Sequence, residues 1–220
     1  MLKGYISIVD GTEIQILQPS KEPYQKEHYL VKKKQHSLNV LIIVLLNGEI
    51  KYLSPIDSGS NDQTIWDHEN LWILYENKPY GILGDGGFSF NQKKDKTQIV
   101  SAKPNKCPRK IKGQPRETLS ANEKAKNTTI SKYRVVVENT IGQVKRWKIL
   151  SDCYCHYIAS NETQQIPFED ILWVCASLTN QKIKKKPLQS DDWQPGNLMH
   201  YLKGDIDNLT WLIQNILNIE

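Results

Sequence analysis

The 220 residues suit one domain, or one domain with an appendage, and are enough to bury a substantial core. A hydrophobic fraction of 39% with six Trp and ten Tyr excludes a wholly disordered chain. The longest apolar run, residues 38–46, falls far short of the roughly 20 residues a membrane span needs, and four cysteines without framework spacing exclude a disulfide scaffold. The N-terminal residues show no long apolar region followed by small residues, so the expectation is an intracellular chain without a secretory signal. The net charge of +5 is unevenly placed: residues 91–134 hold thirteen Lys and Arg against Asp95, Glu117 and Glu123, which leaves the rest of the chain net acidic. Charge concentrated in this way points to a polyanionic partner, although a solvated loop has the same composition.

In chain order, residues 5–17 alternate as a strand that sets Ile6, Ile8, Asp10, Thr12, Ile14 and Ile16 on one face. A carboxylate in phase with isoleucines needs a pair, a hydrogen bond or a metal ion. After a polar, lysine-rich connection, LNVLIIVLL leads through Asn47-Gly48 into EIKYLSPI, which predicts an antiparallel hairpin closed by a type I′ turn. Ser60 and Gln63 have capping-box spacing for a helix from about Asn61, with Ile65, Leu71, Trp72 and Leu74 as its apolar contacts. A short strand over residues 80–83 runs into Gly84-Asp85-Gly86-Gly87, which sets Asp85 in a turn of little bulk. Beyond the basic segment, Ser120 and Glu123 again have capping-box spacing and open a helical region reaching Leu150. Residues 168–179 form a further helix, lysines 182 and 184–186 precede Pro187 and a linker, and residues 206–217 form an amphipathic helix. In CYCHY, Cys153, Cys155 and His156 lack the second half of a zinc site, so no zinc is expected there.

Within residues 134–150, Val137, Ile141 and Val144 share a buried face, widened by Val136 and Trp147. Glu138 sits at its rim, on the stripe that also carries Arg134, Gly142 and Lys145. Gly142 costs about 1 kcal/mol relative to Ala in a helix interior, so the space above Glu138 serves a ligand or Glu138 is simply an i, i+4 surface partner of Arg134. The element order, strands first and then a helix crossing to a further strand, is that of an RNase H-like α/β fold. In that arrangement the first strand is central, and Asp10 and Asp85 become neighbours.

Taken together, IVDGTEIQI, GSNDQ, ILGDGGFSF, RVVVENTIGQVKRWKIL and CASLTNQKIKKKPL resemble the DDE endonuclease domain of PIF/Harbinger-type transposases and their domesticated relatives, from about residue 9 to 188. The resemblance implies a metal-dependent DNA endonuclease and strand-joining activity. Asp10, Asp85 and Glu138 are then the catalytic acids, and these three with Asp62 are the ligands of Mg²⁺ or Mn²⁺. Hard oxygen donors suit such ions, which stabilise the attacking and leaving oxygens of a phosphodiester. Lys106, Arg109, Lys110, Lys112, Arg134 and Lys145 are the expected DNA contacts. Residues 1–188 are expected to form the endonuclease domain, with a basic insertion at about 91–119 and a C-terminal linker and helix over 189–220. Relatives carry a recognition region ahead of the catalytic strand, and only nine residues precede Asp10 here. The expectation is therefore a chain without it, relying on a separate Myb-like DNA-binding protein for recognition and nuclear import. The alternative is a non-catalytic, domesticated nucleic-acid-binding or adaptor protein.

Overall fold

The computed structural model describes residues 6–58, 60–75, 81–90, 101–102, 118–155 and 168–188. Strand β1 (Ile6–Gln15) is the centre of a mixed sheet. It pairs antiparallel along its length with β3 (Gln35–Leu45) and in parallel, over Ile6, Ser7 and Ile8 alone, with β6 (Gly81–Leu83). β2 (Tyr29–Leu30), β4 (Ile50–Leu53) and β5 (Asp57–Ser58) all pair with the other edge of β3. β7 (Ser101–Ala102) continues the sheet in parallel beyond β6. The basic segment expected to be an insertion thus contributes a strand. With helices packed on the sheet, this is the RNase H-like α/β arrangement expected from the element order.

The run LNVLIIVL does not alternate because β3 is covered on both faces, and all of its residues from Ser37 to Val44 are buried. One face carries Ile8, Ile14 and Ile42 against Ile130 and Val137 of α3 (Ala121–Val144) and Leu172 of α5 (Phe168–Lys185). The opposite face carries Val9, Leu41 and Ile43 against Ile65 and Trp66 of α2 (Asp62–His68) and Phe88. Each such aliphatic side chain contributes about 1.5–3 kcal/mol on burial, so these two clusters fix the register of β1. Asp10 is in phase with the first cluster, and Gly11 with the second.

The capping box at Ser120 is complete: Glu123 N–H donates to the Ser120 hydroxyl at 3.3 Å, and Glu123 Oε2 accepts from Ser120 N–H at 2.8 Å. At α2 the cap is Asn61 rather than Ser60, its Oδ1 accepting from Thr64 N–H at 2.9 Å. Gln63 instead turns toward the loop after β6, as described below. Leu71 is buried and Leu74 is 38% exposed, because Leu71–Leu74 tightens into a 3₁₀ turn in place of continued helix. The β3–β4 turn is not type I′. Gly48 alone takes positive φ, at 90°, and its N–H donates to Leu45 O at 2.9 Å across a three-residue loop. That longer loop lets Leu46 bury its side chain in the core. The helix expected to reach Leu150 ends at Val144, and a short helix α4 (Lys148–Ser151) follows a break. Trp147, at the break, donates its indole N–H to Thr179 Oγ1 at 3.0 Å, so α5 holds the chain where it turns. The helix expected over 168–179 runs on to Lys185, so Lys182, Lys184 and Lys185 lie in the last turn of α5, and Lys184 pairs with Glu49 at 3.1 Å. The helix expected over 206–217 lies outside the described residues.

Candidate active site

The site forms where β6 stops pairing. Its parallel register sets Ile8 beside Leu83, and two further residues along each strand bring Asp85 alongside Asp10. Beyond Ile8 the β6-side edge of β1 is free of strand pairing among the described residues until Tyr154 bridges to Ile16. The result is a notch in the sheet about 20 Å long at the usual strand rise.

From the first face, α3 brings Arg134 and Glu138 to the notch. Arg134 lies 3.4 Å from Asp10 Oδ2 and 3.6 Å from Glu138 Oε1, so its guanidinium stands between the two carboxylates. The surface-pair reading of Arg134 and Glu138 is therefore true in part, yet the same Arg also reaches the sheet. Glu138 keeps 54% of its side chain exposed, and a Cβ placed on Gly142 would meet nothing within 4 Å, so the next turn of helix leaves open space. Lys145 extends from the break after α3, and its Nζ donates to the Glu13 carbonyl at 2.8 Å on the notch edge. Burial, and then the nearby Lys33, lowers the Lys145 ammonium below the usual lysine range, against the opposing pull of Glu13.

Asp62 approaches β1 from the opposite face. Its carboxylate lies so close to the Gly11 backbone that a Cβ there would collide with Oδ1. Only glycine after Asp10 admits it. Burial, then the charges of Asp10, Asp85 and Glu13, push the Asp62 carboxyl up to about 6, with Lys32 opposing. Burial likewise raises Asp10, with Asp85 and Glu138 adding to the rise, while Arg134 and the Gly11 N–H, which donates to Asp10 Oδ1 at 3.0 Å, hold it down. Asp85 is fixed by its own turn, its Oδ1 accepting from Gly87 N–H at 2.6 Å. That turn is braced from α2: Gln63 Oε1 accepts from Ser89 N–H at 2.6 Å and its amide donates to Asp67 Oδ2 at 2.8 Å.

Asp10, Asp62, Asp85 and Glu138 are thus linked through space around Asp10, and Arg134 and Lys145 border them. Lys106, Arg109, Lys110 and Lys112 lie outside the described residues. Among the described residues no three His, Cys, Asp or Glu side chains are gathered at metal-holding distance. The donor chemistry nevertheless suits a hard divalent cation, because such an ion would relieve the burial and mutual repulsion that raise Asp10 and Asp62. Gln63, Gly11, Glu13 and the lysines at 32–34 were not read as part of the site. For Gly11 the signal was present, since a glycine inside an isoleucine strand marks a close approach.

The fold is of the RNase H-like α/β class. A model of the DDE superfamily endonucleases matches residues 9–180, and the chain belongs to that family. No curated protein and no solved structure matches the chain. No helix among the described residues is long and apolar enough to cross a membrane.

Proposed function

We propose that the chain is a metal-dependent DNA endonuclease of the PIF/Harbinger transposase type, with Asp10, Asp85 and Glu138 as its catalytic acids and Asp62 as a further metal-binding acid. The observation that carries this reading is the electrostatic linkage of acids from β1, α2, the β6 loop and α3 at one notch in the sheet. Mg²⁺ or Mn²⁺, when bound, supplies positive charge to the attacking and leaving oxygens of the phosphodiester. Asp10, Asp85, Glu138 and Asp62 would hold it. The remaining tasks belong to the chain itself. Arg134 keeps Asp10 and Glu138 facing each other, the open space over Gly142 admits the sugar-phosphate backbone, and Lys145 presents a cation at the notch edge. Hydrolysis would leave a 3′-hydroxyl able to attack a second DNA strand. A Myb-like partner supplying sequence recognition and nuclear import completes the proposal, with residues 1–188 as the endonuclease domain.

The position of Arg134 also favours a second reading. A guanidinium between Asp10 and Glu138 is compatible with a domesticated, non-catalytic DNA-binding or adaptor protein, in which an internal cation has taken over the balancing of charge. Nicking of supercoiled plasmid in Mn²⁺, run beside Asp85→Ala, separates the two. The endonuclease reading expects relaxed and linear product from the wild type and a loss of at least about a hundredfold in the variant, the scale of several kcal/mol of transition-state stabilisation. Equal activity in both proteins, or none in either, ends it.

A further inference from the structure

The polar connection between β1 and β3 does more than link strands. β2 and β3 close a tight turn at residues 31–34, with Leu30 opposite Gln35 and Lys33 N–H donating to Leu30 O at 3.2 Å. Three of its four residues are Lys32, Lys33 and Lys34, and all four are exposed. Lys34 takes positive φ, at 54°, a conformation costing a β-carbon-bearing residue roughly 1 kcal/mol where glycine would be free. The turn is exposed, yet Lys33 reaches back from it to β1. Lys33 forms an ion pair with Glu13 of β1, and Glu13 also accepts from Lys145 Nζ through its carbonyl at 2.8 Å. Lys33 and Lys145 therefore meet at Glu13 on one side of the notch, with Lys32 and Lys34 exposed on the same turn. Lys33 keeps half of its side chain exposed despite its pairing.

We propose that Lys32, Lys33 and Lys34, with Lys145, form a phosphate-binding lip of the notch that takes the DNA backbone on the side away from β6. The chemistry is that of nonspecific strand positioning: flexible ammonium groups that neutralise phosphates without reading bases. It rests on the endonuclease reading above for its substrate. The protein-protein alternative, an acidic peptide on the same lysines, would leave DNA affinity untouched by their loss.

Binding of the full chain to a fluorescein-labelled 30-base-pair duplex of arbitrary sequence, followed by anisotropy between 50 and 200 mM KCl, tests the proposal. The combined Lys32→Gln, Lys33→Gln, Lys34→Gln protein should lose about two to three units of the slope of log affinity against log salt, and on the order of tenfold or more in affinity at 100 mM. A protein with the same charge removed elsewhere, by Lys21→Gln, Lys26→Gln and Lys51→Gln, should lose much less. Lys33→Arg alone should keep the slope, and Lys34→Gly should keep the turn folded, so a collapse of the triple variant is recognised by its melt. A folded triple variant with an unchanged slope, beside a wild type that binds and nicks DNA, overturns the lip and leaves the endonuclease reading standing. A wild type that does not bind DNA overturns both.

Discussion

Asp62 is a single residue held at an electrostatic cost. A carboxylate pressed on the Gly11 backbone and surrounded by Asp10, Asp85 and Glu13 is more easily protonated in the folded protein than in the unfolded chain, with its native value raised from 3.8 to about 6. The native state therefore binds more protons between about pH 4 and 6, and this group's contribution to stability falls as pH rises through that window. Asp62→Asn, which removes the charge and keeps the shape, should melt above the wild type at pH 7.5 in chelator and level with it near pH 4. Asp10 shifts in the same direction and is relieved of the Asp62 charge in the variant, so the difference reports the Asp62 carboxyl together with its coupling to Asp10. A melting advantage that is the same at both pH values would show that charge is not what burdens this site.

At the scale of elements, the strand carrying Asp10, the turn carrying Asp85 and the capped helix carrying Glu138 were legible because each is written locally. Alternation fixes the face of Asp10, two flanking glycines mark the Asp85 turn, and Ser120 with Glu123 marks the start of α3. What could not be read is what one element does to another. Gln63 has the spacing of a capping residue, but its amide is drawn off to Ser89 and Asp67, and Asn61 caps in its stead. The lysines at 32–34 look like a soluble connection until the β2–β3 register bends them toward Glu13. Trp147 continues the helical period of α3, but its bond to Thr179 holds it at a break. Gln63→Ala should expose the cost of the brace on the Asp85 turn. Leaving the part-buried Ser89 N–H without its acceptor should lower stability by about 1–3 kcal/mol in urea titration, and nicking should fall further than that loss of folded protein explains. Activity that tracks the folded fraction alone would make Gln63 a purely structural residue.

Across the whole molecule, charge is balanced by position rather than by number. The acids collect at the break in strand pairing, Arg134 stands among them, and lysines ring the notch from a turn and from the end of α3. A divalent ion joining such a site binds the native state alone and stabilises it by RT ln(1 + [L]/Kd), about 2.7 kcal/mol at a hundredfold excess over Kd. Mg²⁺ or Mn²⁺ should therefore raise the melting temperature, and chelator should return it. The double variant Asp10→Ala, Asp85→Ala should lose the shift. A full metal-induced shift in that double variant would place the ion elsewhere.

The ion pair between Asp10 and Arg134 joins residues 124 positions apart, with Asp62 and Asp85 supplied from between them. The reading frame therefore has to be intact from codon 10 through codon 138 for the acids to meet at all. A premature stop or a missed splice anywhere in that interval separates Asp10 from Glu138 outright. The strands before the lesion can keep their sequence and their hydrophobic pattern, yet the allele carries none of the assembled site.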